Sequence, residues 1–347
     1  HKFDNINAKL KKNKKVINGN IKLSYLDNTI NGEIIYNLEE YIYNLQLGFE
    51  KLVYGNNKIL DAEIDLNNKQ KNINILITSE KTFIDTFIFK KVKGNITINK
   101  NNIIGDLKFN NNDISGKALV SNFKDIHNYN IDGILQFKDY DISQYIYDIP
   151  FQTISGQVDY SLYNNNNNLK LDADVHLNEN KLFDFRFDEI SSSISLSYDD
   201  SEYKIFAKGN IKKWEFGNYD WESIDFSTNF ENSKFSDINI VAKSQYEDEL
   251  KFKIESNKDY YFVSHFDGIL KDNLFSFKPF YIKNLDNKFH FPDLKMRFNK
   301  GYLDISGDYY KNNIYNIIGN CKNINIDDIY NIIGKKLKIN GKIVEGE

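Results

Sequence analysis

The chain has 347 residues, a formal net charge of −4 at pH 7 and a pI near 5.9, and this charge gives no reason to expect nucleic acid as a partner. Its single cysteine excludes an internal disulfide, and it has no run of about 18 apolar residues that would cross a bilayer as a helix. Aromatic residues make up 15% of the chain and prolines number only three, which favours extended sheet.

The pattern apolar-x-Gly-x-apolar recurs along the whole chain. Alternate residues of a strand share one face, so each of these glycines lies on the apolar face with its neighbours. Glycine weakens a strand interior unless a bend or a close approach requires it. We therefore predict that these glycines lie on the concave side of a curled sheet. They are Gly19, Gly32, Gly94, Gly105, Gly116, Gly133, Gly156, Gly209, Gly268, Gly307 and Gly341.

The region 139–158, DYDISQYIYDIPFQTISGQV, interrupts this pattern, and 323–343 resembles it. Each has a polar cap, a short apolar stripe at helical spacing, a helix-breaking residue and then a glycine strand. The spacing predicts short helices at 142–149 and 326–333. It also suggests two repeats, 1–150 and 151–347, each with a short helix near its C-terminal end.

Residues 154–177, ISGQVDYSLYNNNNNLKLDADVHL, contain two runs of strict alternation joined by asparagines, which predicts a hairpin with one apolar and one polar face. Further strands carry larger apolar residues, such as Phe183, Phe185 and Phe187, then Ile194 and Leu196. We expect roughly twenty to twenty-five short strands joined by short polar turns. Because no linker divides them, residues 1–347 are interpreted as one continuous antiparallel sheet.

Catalytic signatures are missing from the sequence. It contains no phosphate-binding, zinc-protease or nucleophile-elbow motif, and its five histidines lack metal-ligand spacing. Cys321, on an apolar strand position, is interpreted as a small core residue. Trp214 and Trp221 are interpreted as partly buried indoles at a hairpin end rather than as a sugar-binding platform. We therefore expect a non-enzymatic protein with no catalytic residues, no cofactor and no metal.

The repeated order of strands, short acidic helix and glycine strand resembles the TamB family of the AsmA-like superfamily. GYLDISGDYY (301–310), INIDDIYNII (324–333) and LKINGKI (337–343) carry the resemblance over 301–346, and 103–163 fits it more loosely. The chain differs from that family in its richness in Asn, Lys and Tyr and in lacking an N-terminal membrane helix. Because it begins at His1 without a methionine, we expect it to be a piece of a longer protein.

The resemblance implies an elongated, curled, taco-like sheet in the periplasm of the cell envelope, anchored to the inner membrane through a missing N-terminal segment. Its open groove would carry phospholipid acyl chains, with the membranes at both ends reached through parts absent here. An outer-membrane barrel of the Omp85 type would be its partner. The residues expected to line the groove are Ile131, Leu135, Phe137, Ile154, Val158, Tyr160, Leu162, Leu169, Leu171, Val175, Leu177, Phe183, Phe185, Phe187, Ile194, Leu196, Ile205, Phe252, Ile254, Leu294, Phe298 and Ile305.

Two alternatives use the same strands differently. In a structural or adhesive surface protein the strands would close into β-sandwiches, and every apolar face would be sealed by a facing sheet. An outer-membrane barrel is disfavoured, because its alternating segments should be about ten residues long with longer loops on alternate ends, whereas the loops predicted here are uniformly short. The groove and the sandwich differ in whether the apolar face stays uncovered.

Overall fold

The alternation of apolar and polar residues produces strands along nearly the whole described chain. The computed structural model describes residues 5–25, 28–54, 57–69, 72–84, 87–110, 113–125, 127–140, 154–166, 168–182, 185–199, 202–216, 219–232, 234–256, 260–285, 288–310 and 315–324. These residues form 23 strands and no helix, which confirms the prediction of an all-β chain. The two predicted helices, 142–149 and 326–333, lie outside the described residues.

The chain divides into two units, His1–Ala173 and Asp174–Glu347, with the boundary inside the twelfth strand. The first unit contains β1 Asn5–Asn13, β2 Val16–Tyr25, β3 Asn28–Asn37, β4 Ile42–Tyr54, β5 Asn57–Lys69, β6 Asn72–Ile84, β7 Phe87–Ile98, β8 Asn102–Phe109, β9 Ile114–Ser121, β10 Asn128–Tyr140, β11 Ile154–Asn165 and the start of β12 Asn168–Leu182. The second contains the rest of β12 and then β13 Phe185–Asp199, β14 Glu202–Phe216, β15 Tyr219–Glu231, β16 Lys234–Lys243, β17 Glu249–Ser256, β18 Tyr260–Leu270, β19 Asn273–Phe277, β20 Phe280–Leu285, β21 Lys288–Phe298, β22 Gly301–Tyr310 and β23 Tyr315–Lys322.

The strands belong to one antiparallel sheet, in which successive strands are neighbours. One position in the sheet is occupied by two short strands instead of one long strand. β19 and β20 lie end to end, and both pair with β18 on one side and with β21 on the other. Pro279 stands at the interruption, where a proline removes one backbone donor from the ladder.

Asparagines at strand ends stabilise the short turns. Asn110, Asn232 and Asn299 have positive φ angles of 50°, 49° and 48°, a conformation that Asn tolerates better than most residues. Each side-chain amide oxygen accepts a hydrogen bond from a neighbouring strand: from the N–H of Lys90 (2.7 Å), Tyr203 (3.0 Å) and Leu274 (2.9 Å), respectively. The many asparagines thus fix turns by satisfying backbone donors.

In several strands the alternation of side chains between the two faces shifts by one residue inside the strand, rather than at a turn between strands. Asp61, Lys91, Asp139 and Lys213 lie inside strands, and their φ angles are 46°, 49°, 47° and 49°. Bulges of this kind bend a strand and increase its twist. Side chains three residues apart then share a face: the Phe137 and Tyr140 rings are 6.3 Å apart, although regular alternation would place them on opposite faces.

In the first unit the bends of β4 to β7 align into a row that holds buried residues. Phe49, Ala62, Ser79 and Val92 face one another in register, and they are 6%, 2%, 5% and 8% exposed. The Ser79 hydroxyl lies 2.8 Å from the Leu60 carbonyl oxygen and accepts a hydrogen bond from the Lys81 N–H at 3.2 Å. This buried hydroxyl therefore bonds backbone groups beside the bend, as a buried polar group requires.

The glycines of the apolar face make room for side chains of the neighbouring strand. A Cβ atom on Gly32 would lie 2.6 Å from Leu47 Cδ2, and one on Gly116 would lie 2.8 Å from Leu135 Cδ2. Real Cβ atoms do not approach so closely without a shift of the neighbour. The close approach, which the pattern leaves as an alternative to a bend, is therefore the direct reason for glycine at these two positions.

We expect Gly133→Ala to lower the free energy of unfolding by about 1–3 kcal/mol, because the added methyl group would lie 2.6 Å from the Lys117 carbonyl oxygen. Gly105→Ala is the matched control. Gly105 and Gly133 both pair with Ala118, but a Cβ on Gly105 would have no atom within 4 Å. That substitution should be neutral or stabilising by less than about 1 kcal/mol. Urea unfolding followed by circular dichroism measures both, and equal effects would contradict the close-approach explanation.

Candidate functional site: the apolar face

In the first unit one apolar row crosses eleven strands. Register pairing places its residues side by side on one face from β1 to β11, and the row contains no charged residue. Its members, in strand order, are Ala8, Ile21, Gly32, Leu47, Ile64, Ile77, Gly94, Leu107, Gly116, Leu135 and Val158. Most of them are partly exposed. This face is therefore a continuous aliphatic surface in the first unit.

The second unit has a similar row, with more aromatic residues. Ile224, Ala242, Leu250, Gly268, Phe275 and Phe298 face one another in register across β15 to β21. The Phe266 ring stacks on Phe277 at 4.7 Å and meets Phe252 edge-on at 5.6 Å. Aromatic pairs in these geometries add stability beyond their buried area.

The structure places the described lining residues on the apolar face of their units. Examples are the register pairs Ile131–Leu162, Leu135–Val158, Leu196–Ile205 and Leu294–Ile305. Phe187 and Phe298 are buried, at 8% and 2% exposed, and the other described lining side chains are partly exposed. Phe183 lies outside the described residues, and the side chain of Phe185 is not among those described.

No second sheet covers the apolar face within the described residues. The extensive strand–strand contacts there are those between hydrogen-bonded neighbours, and no described large side chain is completely buried. In a β-sandwich, the inner faces of two sheets interdigitate and bury each other's residues. The partial exposure of the apolar rows thus reflects a single layer of sheet.

The opposite face carries polar and charged side chains. In the first unit it has a depression of about 1000 Å³, whose charged lining residues are Glu50, Asp61, Glu63, Glu80, Lys51, Lys91 and Lys93. Because both signs of charge line it, this depression selects neither a cation nor an anion. Among the described residues, no group of His, Cys, Asp or Glu is arranged to hold a metal ion.

Asp308 has two basic partners on the polar face of the second unit. Its carboxylate lies 2.9 Å from Lys288 Nζ and 2.8 Å from His290 Nδ1. Hydrogen bonds from Lys288 and then His290 hold the pKa of Asp308 below its usual range, and the bond to Asp308 raises the pKa of Lys288. His290 is thus a strand residue that orders the sheet surface.

One expected core residue is exposed. Cys321 pairs with Leu303 on the apolar face, yet it is exposed, because β23 is the last described strand and has no described neighbour on its other side. The expectation that Cys321 is a core residue is therefore wrong. The tryptophans agree with the sequence interpretation, since Trp214 and Trp221 pair near a hairpin end and Trp221 is 8% exposed.

The described part of the chain contains no helix long and apolar enough to cross a membrane. Its fold and its apolar rows define a single-layered antiparallel β protein whose apolar face is uncovered within the described residues. Comparison with known proteins finds no match, whether among family models, curated proteins or solved structures.

Proposed function

We propose that the apolar face of each unit binds the acyl chains of phospholipids, as part of a TamB-like, AsmA-like protein of the cell envelope. In this proposal the protein resides in the periplasm, conducts phospholipid between the inner and outer membranes, supports outer-membrane biogenesis and catalyses no reaction. Its partners are phospholipid and, through parts beyond this chain, the two membranes and an outer-membrane barrel.

The observation that carries the proposal is the uncovered aliphatic row of the first unit. Soluble proteins rarely expose contiguous apolar surface beyond a few hundred Å², and larger patches are typical of binding sites. Neighbouring strands are about 4.8 Å apart, so a row across eleven strands follows the sheet for about 50 Å. That is longer than the hydrocarbon thickness of one bilayer leaflet, about 15 Å.

The chemistry of the row also fits acyl chains. An acyl chain needs a long aliphatic surface, and it has no polar group that the site would have to position. The row from Ala8 to Val158 consists of Ala, Ile, Leu, Val and Gly only, and hydrogen-bonding side chains such as Gln136 and Asp159 lie on the opposite face. A sugar or peptide ligand would leave its polar groups unsatisfied on such a surface.

Adjacent residues on opposite faces provide the test. A photocrosslinking amino acid is placed at Leu162, which lies on the apolar face, or at Tyr163, which lies on the opposite face and is 40% exposed. After gentle isolation and irradiation, mass spectrometry should detect phospholipid adducts at position 162 and almost none at 163. If no lipid adduct forms at either position and residue 162 instead crosslinks to protein, the result would favour the sealed sandwich of a structural or adhesive protein.

A further inference from the structure

The polar face of the first unit contains a lysine patch beyond the bend of β4 to β7. Two rows in register form it. One contains Lys51, Leu60, Lys81 and Lys90, and the other contains Val53, Lys58, Phe83 and Ile88. The ammonium groups of Lys58 and Lys81 lie over the Phe83 ring, 5.4 and 4.8 Å from its centroid. Half of the patch is therefore cationic and half is apolar.

The lysines of this patch form no ion pair in the part of the chain that the structure describes. Several strand lysines of the second unit do pair with carboxylates, as Lys204 does with Glu231 (2.9 Å) and Lys213 with Asp188 (2.8 Å). Within the described residues, other lysines of the first unit, such as Lys117 and Lys138, also lack an ion pair, so what distinguishes the patch is that four lysines share one surface. Among the described residues, Lys51, Lys58, Lys81 and Lys90 have no carboxylate partner. Glu50, Asp61, Glu63 and Glu80 line the depression at the bend, and Lys51 lines it with them, whereas Lys58, Lys81 and Lys90 are not among its lining residues. Four lysines thus share one surface, three of them beyond the carboxylates of the bend, in a chain whose net charge is −4.

The same segment is apolar on its other face as well. Past the bend, the apolar face includes Ile59 and Phe89, both paired with Thr82, and the Phe89 ring lies 5.0 Å from that of Phe109. Ile84, at the end of β6, is 49% exposed. A strand end that is apolar on both faces and carries lysines can enter the headgroup region of a bilayer, where aliphatic stems are buried and ammonium groups meet phosphate.

We propose that the lysine patch docks the first unit onto an anionic membrane surface. Lysines near such a surface attract its phosphates within a Debye length. Phe83 is the one aromatic residue in these two rows, and the ammonium groups of Lys58 and Lys81 already lie over its ring. Val53, Leu60 and Ile88 offer no stacking surface for bases or sugar rings, so the patch fits a lipid surface better than a nucleic acid or an acidic polysaccharide. The patch lies on the face opposite the apolar row, and the docking does not depend on what that row binds.

Vesicle flotation with the whole chain tests this docking. Vesicles of phosphatidylcholine alone are compared with vesicles of phosphatidylcholine and phosphatidylglycerol in equal parts. The chain should bind the anionic vesicles and should lose binding as salt rises. Lys58→Glu with Lys81→Glu should weaken that binding about tenfold or more. The control, Lys117→Glu with Lys138→Glu, alters the net charge equally at two exposed lysines of the same unit outside the patch.

Three results would overturn the docking: equal binding to both vesicle types, equal loss of binding in the patch and control variants, or binding to heparin that matches binding to anionic vesicles. Lys58→Gln with Lys81→Gln removes the charges without repulsion and replaces the first variant if that variant does not fold. Phospholipid retained on the isolated protein is measured in the same samples and should not change in the patch variants. Loss of docking and loss of lipid loading are thereby distinguished.

Discussion

Leu135→Asp is expected to leave the chain folded and to remove most of its bound phospholipid. Leu135 belongs to the uncovered row, where it pairs with Gly116 and Val158, and its side chain is partly exposed. With no lipid present, the new carboxylate reaches water, so the fold loses only part of the burial energy of one leucine, about 1–2 kcal/mol. With lipid present, the unpaired carboxylate would contact acyl chains, which costs several kcal/mol or forces its protonation.

The matched control for this variant is Gln136→Asp. Gln136 is the next residue of β10, is exposed on the opposite face and forms hydrogen bonds there with other polar side chains. Lipid content by mass spectrometry and thermal unfolding are measured for both variants. A folded Leu135→Asp protein with normal lipid content would contradict the proposed groove. A protein that simply unfolds would indicate that the face is sealed, because only a sealed core leaves the carboxylate without water.

The alternation of the sequence predicts the strands and their faces well, because it depends only on the two-residue period of a strand. β11 and β12 correspond to the two strands of the hairpin predicted over 154–177. The face assigned to Ile131 and Leu162 agrees with their register. Of the apolar row, the sequence prediction named only Leu135 and Val158 as lining residues. It missed aliphatic members such as Ile21, Leu47 and Ile77, because only the register of the strands shows that they lie side by side.

The bends could not be predicted in the same way. In β13, Phe187 and Ile190 are three residues apart, and such a slip looks the same in sequence whether the strand ends or bulges. The sequence interpretation separates the strand of Phe187 from that of Ile194, whereas the structure contains one strand of 15 residues there. Pairing with β14 continues on both sides of the slip, which shows that the strand bulges rather than ends. This pairing depends on residues far along the chain.

The lysine patch was missed for a related reason. Lys58 and Lys81 are separated by 23 positions in sequence, and only the pairing of β5 with β6 places both over Phe83. Each lysine by itself follows the ordinary polar alternation. The signal available in the sequence was the slip itself, because Phe83 and Ile88 fall on the polar side once the alternation is shifted by one residue.

Phe298→Ala is expected to destabilise the second unit by about 3–5 kcal/mol. Phe298 is 2% exposed and belongs to the buried cluster of Trp221, Ile224, Ala242, Leu270 and Phe275. Because the face carries no second sheet within the described residues, few other residues exclude water as completely, and the missing ring would leave a cavity within this cluster. Both tryptophans of the chain, Trp214 and Trp221, lie in the second unit, so tryptophan fluorescence during urea unfolding reports on that unit.

Phe252→Ala is the matched control, because Phe252 lies on the same face of the same unit but is only partly buried. Its loss should cost about 1–2 kcal/mol, since water already reaches part of the ring and no closed cavity is left. Equal costs for the two variants would show that the buried row does not hold the second unit together. A larger cost for Phe298 would place the stability of this unit in the row across β15 to β21 and leave the partly exposed rings beside it available for a ligand. A single-layered sheet with a binding face requires this division, because residues that stabilise the fold cannot also yield their contacts to lipid.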